Sequence, residues 1–350
     1  MAVTLQQLAE ACGVSRGTVD RALRGKPGVR PEVAERIQEM ARTMGYISPR
    51  IRPVVAERPV RIGVVLHTAI SSFVQVLASI ARTYPAQQLL PIETIVRTQD
   101  GVDVQHQLAL IDELVETEHI DGLALMPLAS VLIRERINEL TAAGIPVVTV
   151  NTDISDSSRL AYVGADCIAS GRAAAALMGM TMGGRGLILP ILGQRSGHYA
   201  DIQRLNGFVS EMASLYPDIH LLPPACCFLD PTLAERIVLR ELEQNDQLSG
   251  VYLSTVGREG VYRALQKTGM AGKVHVVVHD IVKDNLEMIR KGVVDFAIGQ
   301  DVKTQGTLPL RLLYQYLTKH QSPERRDYIT NIEIKFRYNL SETDGFLPYT

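Results

Sequence analysis

The sequence predicts a small all-α head joined to an α/β body built on parallel sheets. Three observations predict it. Residues 1–47 carry three short helical patterns broken by glycine and proline. Residues 48–60, SPRIRPVVAERPV, hold three prolines and four charged side chains, the composition of a linker. From Arg61 onward, apolar runs of strand length alternate with amphipathic stretches of helix length, the pattern of βαβ units. A chain of 350 residues has room for two or three domains of ordinary size.

In the head, Thr4 with Gln7 three residues on forms a capping box, and Leu5, Leu8, Ala9 and Cys12 give one apolar stripe. Gly13 ends that helix because glycine accepts the left-handed conformation past a helix end. Ser15 caps a second helix in which Thr18, Val19, Ala22 and Leu23 recur at helical spacing, until Gly25, Pro27 and Gly28 break it. Pro31 suits the first turn of a third helix, whose stripe is Val33, Ile37, Met40, Ala41 and Met44, and Gly45 stops it. Helix, glycine turn, helix is the helix-turn-helix plan. Its second helix keeps Arg16, Gly17, Asp20 and Arg21 on outer positions, and such a helix fits a major groove. Gly17 adds no side chain where a partner surface would approach. A small helical bundle that binds protein fits the same pattern.

Charge separates the two parts. Residues 1–61 hold eleven Lys and Arg against six Asp and Glu, an excess of five positive charges. The whole chain is at −2, so the remainder carries an excess of seven negative charges. A basic head on an acidic body suits a head that alone meets a polyanion, although a solvated helical surface has the same composition.

In the body, strands are expected at 61–66, 89–96, 122–126, 146–150, 160–164, 186–191, 250–253, 274–279 and 294–299. Helices are expected near 72–83, 104–117, 129–142, 167–181, 200–214, 231–244, 258–269 and 303–319. The run MGGRG at 182–186 reads as a helix end plus a turn.

Several function classes lack their signatures. There is no GxxxxGK[ST] phosphate loop, no GxGxxG after the first strand, no HExxH and no GxSxG. The histidines are scattered, and Cys12, Cys167, Cys226 and Cys227 form no CxxC. Neither a metal site, nor a cofactor, nor a catalytic residue is therefore predicted, and the expectation is a non-enzyme. No apolar run reaches the ~20 residues that span a bilayer. The start MAVTLQQLAEACGVS has no basic-then-apolar leader, so a cytoplasmic protein is expected.

The spaced positions of the head resemble a known family. V3-T-L-x-x-L-A-x-x-x-G-V-S-x-x-T-V-x-R-x-L23, V29-R-P-E-V-A-E-R-I37 and G45-Y-I are similar to the DNA-binding head of LacI/GalR-type bacterial transcription regulators. In the body, Y162-V-G-A-D166 with S170-G-R-A-A-A-A-L177, R204-L-N-G-F208, V278-H-D280 and G299-Q-D-V-K-T-Q-G306 resemble the family's strand crossings and ligand-contacting loops. The resemblance covers roughly residues 3–338. It implies a helix-turn-helix head at 1–47, a hinge at 48–60 and a two-lobe periplasmic-binding-protein-like (type I) body at 61–340, with a tail at 341–350. Lobe 1 would comprise about 61–157 and 302–325, and lobe 2 about 158–299 and 326–340. The chain would cross between them near 155–160, 299–302 and 322–328.

By the same resemblance, Thr4, Ser15, Arg16, Gly17, Thr18 and Arg21 face a near-palindromic operator in double-stranded DNA. Arginine can bond guanine O6 and N7 with two parallel hydrogen bonds. Asp20 departs from the small polar residue common there. The family's hinge usually forms a short helix, with A-R-x-L, whose leucine wedges into the minor groove. This chain has R52-P-V-V55, where Pro53 disfavours an interior helical position and Val54 or Val55 would be a smaller wedge. The resemblance implies a homodimer, since the ending N339-LSETDGFLPYT350 lacks the heptads of tetrameric members. It implies a regulator, a repressor, in the nucleoid-associated cytoplasm, with a small polar effector controlling operator affinity.

In two-lobe α/β folds ligands bind outside the carboxyl ends of the strands. That rule selects His67, Thr68, Phe73, Asn151, Asp153, Arg204, Ser254, Asp280 and Gln300 as effector candidates. The mixture of donors and acceptors suits a sugar or sugar derivative. Each has a plainer alternative. Asp280 can cap a following helix, His67 can satisfy backbone, Arg204 can pair with Asp201 or Asp230, and Phe73 can be core. Ser254-Thr255 stands where the family commonly has Asn-Asp. A cytoplasmic sugar-binding module and an α/β enzyme on a sugar or nucleotide are the competing readings.

Overall fold

The computed structural model describes residues 5–23, 29–30, 33–34, 36–37, 40–41, 58–193, 199–254 and 256–341. Thr4, Val54 and Val55, the possible hinge helix and most of the tail lie outside these residues. The chain divides into two compact units, residues 1–59 and 60–350.

In the first unit, α1 (Leu5–Cys12) and α2 (Arg16–Leu23) are joined by a turn at Gly13, whose φ is +63°. Positive φ is why glycine stands there. Ser15 Oγ accepts from Thr18 N at 3.2 Å, and the Ser15 and Thr18 hydroxyls lie 2.9 Å apart. Leu8, Ala9, Cys12, Val19 and Ala22 are buried together with Ile37 and Ala41, which lie in helical segments further along. Arg36 Nη2 donates to Cys12 O at 2.9 Å and ties that segment to the end of α1.

The second unit holds two sheets. The first has strand order β12-β5-β4-β3-β1-β2, from β1 (Val60–Leu66), β2 (Ile92–Thr98), β3 (Gly122–Leu125), β4 (Val147–Val150), β5 (Ala161–Ala165) and β12 (Asp327–Thr330). Every pairing in it is parallel. The second sheet has the order β13-β11-β10-β9-β6-β7, from β6 (Arg185–Leu192), β7 (Asp218–Leu221), β9 (Leu248–Leu253), β10 (His275–His279), β11 (Phe296–Gly299) and β13 (Glu333–Lys335). The short β8 (Ala225–Cys226) pairs with β6 off this path. Only β13 runs antiparallel among these described strands.

Both sheets are covered on two faces, so their strands read as continuous apolar runs. On β1, Ile62, Val64 and Leu66 enter one core while Val65 enters the other. On β10, Val276 and Val278 point one way and Val277 the other. The covering helices of the first sheet are α3 (Ser72–Gln87), α4 (Val104–Glu116), α5 (Val131–Ala142) and α11 (Val302–Lys319). Those of the second are α6 (Cys167–Thr181), α7 (Tyr199–Leu215), α8 (Pro231–Gln244), α9 (Arg258–Lys267) and α10 (Lys283–Arg290). Helix α6 ends at a Met182 cap, and Gly183 and Gly184 follow at φ +65° and +77°, so MGGRG is a helix end and turn.

All nine expected strands form. The pattern missed β7, β8, β12 and β13, which are short or only partly buried, and also α10. Two lobe boundaries move. Tyr162 of β5 pairs with Thr149 of β4, so β5 belongs to lobe 1 and the first crossing follows Ala165 rather than falling near 155–160. Strand β12 pairs with β5, so the third crossing lies at 331–332 rather than 322–328. The middle crossing lies at 300–301, between β11 and α11.

Candidate functional site

Strand ends of both lobes converge on one cavity of about 410 Å³, its open mouth included. Thr68, Ser71, Phe73, Val74, Met126 and Asn151 line it from lobe 1. Ala200, Arg204, Ser254, Val256 and Asp280 line it from lobe 2, and Gln300 lines it from the middle crossing. Seven of the nine effector candidates are thus brought together. His67 is buried behind the lining, its Nδ1 2.9 Å from Thr68 Oγ1. Asp153 sits at a neighbouring cavity, its carboxylate engaged by Arg159 and Thr149. Ser71, Val74, Met126, Ala200 and Val256 were not singled out by sequence. Met126 directly follows β3, which ends one residue short of the strand end expected at 126, so the strand-end rule passed over it.

A polar chain crosses the cavity floor. Asn151 Nδ2 donates to Gln300 Oε1 and to Gln305 Oε1, each at 3.0 Å. Gln300 Nε2 donates to Asp280 Oδ1 at 2.7 Å, and the Gln300 carbonyl accepts from Thr330 Oγ1 at 3.0 Å. The end of β4, the end of β10 and β12 are therefore joined through one residue, Gln300.

Backbone strain gathers at the same place. Thr68, Asn151 and Asp280 hold φ of +58°, +63° and +74°, and all three line the cavity. Left-handed backbone is costly for a non-glycine residue, most of all for β-branched threonine. Asp280 is held there by Asn285, whose Nδ2 donates to the carbonyls of His279 and Asp280 at 2.8 and 2.7 Å. The helix-cap alternative for Asp280 does not apply, because α10 begins after Val282.

Arg204 is positioned by a close helix crossing. A Cβ on Gly171 of α6 would lie 1.9 Å from Arg204 O, and one on Gly207 of α7 would lie 2.1 Å from Ile168 O. Only glycines permit these helices to approach so closely. Arg204 is 5% exposed, its guanidinium donates from Nη1 to Ser254 O at 2.8 Å, and its Nε has no hydrogen-bond partner among the described residues. Burial opposes its charge, but Cys167, Asp280 and Asp201 outweigh that and raise its pKa. Asp201 accepts from Gly193 N at 3.0 Å, and Asp230 caps α8. Beneath Arg204, Phe208 stacks on Tyr252 with ring centres 4.1 Å apart, and the Tyr252 hydroxyl lies 2.9 Å from His279 Nε2. Burial and the nearby Arg204 charge hold His279 well below its ordinary pKa, so the ring is neutral.

Phe73 satisfies both of its readings. It is 7% exposed within the lobe 1 core and also lines the cavity. An ionised donor, an acceptor carboxylate, two side-chain amides and apolar walls suit a ligand rich in hydroxyl groups. Among the described residues no group of three or more His, Cys, Asp and Glu could hold a metal ion. Nor is any described helix long and apolar enough to cross a membrane.

On the head, Ser15, Arg16, Gly17 and Arg21 are exposed and Thr18 is half-buried. Arg21 Nε donates to Gly17 O at 3.2 Å, which leaves the far end of the guanidinium for other partners. A Cβ on Gly17 would meet only Ser15 Oγ, at 3.9 Å. Packing within the head therefore does not require glycine at 17. The face α2 turns outward is polar and basic, with a smooth step at Gly17.

Comparison with known proteins gives two family matches. Residues 4–48 match the model described as "Bacterial regulatory proteins, lacI family", and residues 62–321 match the periplasmic binding protein domain. The chain is similar to the D-allose-binding periplasmic protein of Escherichia coli (strain K12), 25% identical over 220 residues, covering 60% of this chain and 70% of that protein. Among solved structures, a solute-binding protein from Burkholderia graminis C4D1M in complex with D-arabinose superposes with a TM-score of 0.74 at 22% identity, over 81% of this chain and 98% of that one. A solute-binding protein from Agrobacterium vitis bound with α-D-tagatopyranose gives 0.72 at 21% identity, over 81% and 96%. At these identities the two structures show a shared fold.

Proposed function

The chain belongs to the LacI/GalR family, with a lacI-type head on a periplasmic binding protein domain, and from this premise we propose that it is a sugar-responsive repressor. The head binds a near-palindromic operator as one half of a homodimer in the cytoplasm. A sugar or sugar derivative binds between the lobes and changes the operator affinity. The chain acts by binding and carries out no chemical conversion.

The observation that supports this best is the joint presence of two sites in one chain. One is the outward basic face of α2. The other is the cavity where Arg204, Asp280, Asn151 and Gln300 meet. Arg16 and Arg21 read bases or hold phosphates, and Ser15 and Thr18 lie at a helix start that favours phosphate. Arg204 donates to ligand oxygens, Asp280 accepts from a hydroxyl pair, and Phe73 covers an apolar ring face. Ligands named for the relatives, D-allose, D-arabinose and tagatose, agree with that chemistry. The effector must bind two lobe arrangements with different affinity, a coupling of about 1–3 kcal/mol in typical systems.

A gel-shift assay on DNA upstream of the protein's own operon tests the reading. A specific shift that weakens steeply with salt is expected, because neutralising phosphates releases counterions. Adding the sugar that raises the melting temperature should change that shift. Absence of any specific shift, or a shift retained by a chain lacking residues 1–59, would refute it.

A further inference from the structure

A second cavity adjoins the first beside the lobe crossings, with about 650 Å³ of atom-free space, its mouth included. Asn151 and Ala200 line both cavities, so the two are neighbours across those residues. Thr152, Asp153, Ser155 and Tyr162 line it from lobe 1, Gln203 from lobe 2 and Ile329 from β12. The proposed function above uses none of these six side chains.

Acceptors predominate among them, with Ser155 and Gln203 able to donate as well. Asp153 Oδ2 accepts from Arg159 Nη2 at 2.7 Å, Oδ1 accepts from Thr149 Oγ1 at 2.6 Å, and Arg159 Nε lies 2.6 Å from Oδ1 in an ion-pair contact. A carboxylate has about four acceptor sites, so one remains. Asp166, also in the lining, uses one oxygen to accept from Ala169 N at 2.9 Å. Thr152 donates to Pro127 O at 2.8 Å, and the Tyr162 hydroxyl is 3.0 Å from Asn151 O and 3.1 Å from Ala165 O. Both hydroxyl protons therefore have carbonyl partners, and their oxygens are left to accept. The cation beside Asp153, Arg159, is spent on Asp153, Asp327 and Arg326 O. An acceptor-rich wall with its cation engaged repels phosphate and carboxylate and suits hydroxyl donors. Ile329, Ala165 and Ala200 supply an apolar surface beside it, and Ile329 is 57% exposed. Acceptors around an apolar patch match a ring that has hydroxyl groups at its edge and C–H groups on its face.

We propose that this second cavity, beside the lobe crossings, is a second subsite for a neutral hydroxylated unit. Resting on the sugar-responsive reading, this makes the preferred effector larger than one monosaccharide. The two units meet at Asn151 and Ala200. Because lining residues come from both lobes and include Asp166, where the chain first crosses between them, the occupant touches a crossing segment itself.

The test is calorimetric titration of the full chain with D-allose, D-arabinose, D-tagatose, D-glucose and D-galactose, and with disaccharides and methyl glycosides built on them. One linked compound should bind about ten-fold or more tightly than its free monosaccharide, the return from one or two added hydrogen bonds. Gln203→Trp, which fills only the second cavity, should abolish that gain and leave monosaccharide affinity unchanged. Ile329→Ser, at an exposed position, should remove part of it. If two free monosaccharides occupy the site instead, the stoichiometry is two and Gln203→Trp returns it to one, which also supports the subsite. Monosaccharide binding at a stoichiometry of one, insensitive to Gln203→Trp and with every linked compound weaker, overturns the subsite while sparing the sugar-responsive reading. Failure of every sugar to bind overturns both. Monosaccharide affinity, measured on the same variants, reports whether each has folded.

Discussion

The two walls of the cavity between the lobes are built differently. Lobe 2 supplies the charge: Arg204 and Asp280 are both buried, and both are fixed by neighbours in their own lobe, Ser254 and Asn285. Lobe 1 supplies neutral groups, with Thr68, Phe73, Met126 and Asn151 as its wall. The difference teaches that lobe 2 is prepared to hold a ligand on its own. Lobe 1 is joined to it through Gln300. On the sugar-responsive reading proposed above, charge in the first wall sets affinity and fit in the second tunes it.

Removing the cation is the strongest way to break this contrast. Arg204→Ala should lower sugar affinity by about 100-fold or more, since hydrogen bonds to a buried charge are each worth roughly 1.5–3 kcal/mol. Calorimetry checks it. A loss no larger than that from a lobe 1 substitution would end the distinction between the walls. Asp280→Asn keeps the shape and removes the charge. It should cost about ten-fold or somewhat more by the same reasoning, with the melting temperature nearly unchanged. On the neutral wall, Phe73→Leu should weaken binding by only about five-fold, near 1 kcal/mol for a lost ring contact.

The smallest effect concerns the support beneath the charged wall. His279 has a folded-state pKa well below the ordinary 6.5. The unfolded chain therefore binds the proton first as pH falls. The stability from keeping the ring neutral is fully present above about pH 6.5 and is lost progressively below it. Melting temperature should fall as pH drops below that value, and His279→Asn should flatten the slope in a pH series of thermal melts. An unchanged slope would remove His279 from the account.

Much of this was legible in the sequence, for identifiable reasons. Buried parallel strands are continuous apolar runs, so β1, β6, β9 and β10 stood out. The residues that follow them, Thr68, Ser254 and Asp280, could be named from the strand-end rule alone. The sheet to which β5 belongs was not legible, because AYVGA is equally apolar in either lobe and only its pairing with β4 decides. Asp153 followed a strand end like its neighbour Asn151. Its partner Arg159 lies across a loop, a closure no local pattern announces. Asn285 was missed because an asparagine in a helix carries no signal that it holds the carbonyls of His279 and Asp280.

The backbone contact at Gly171 has a consequence for genetics. The site for a methyl group there is already taken by the carbonyl of Arg204. An alanine at 171, the mildest change available, must push α6 and α7 apart and carry the guanidinium with it. Colonies selected for a regulator deaf to its effector should therefore yield lesions at this silent-looking helix position, which meets the binding arginine only through its backbone.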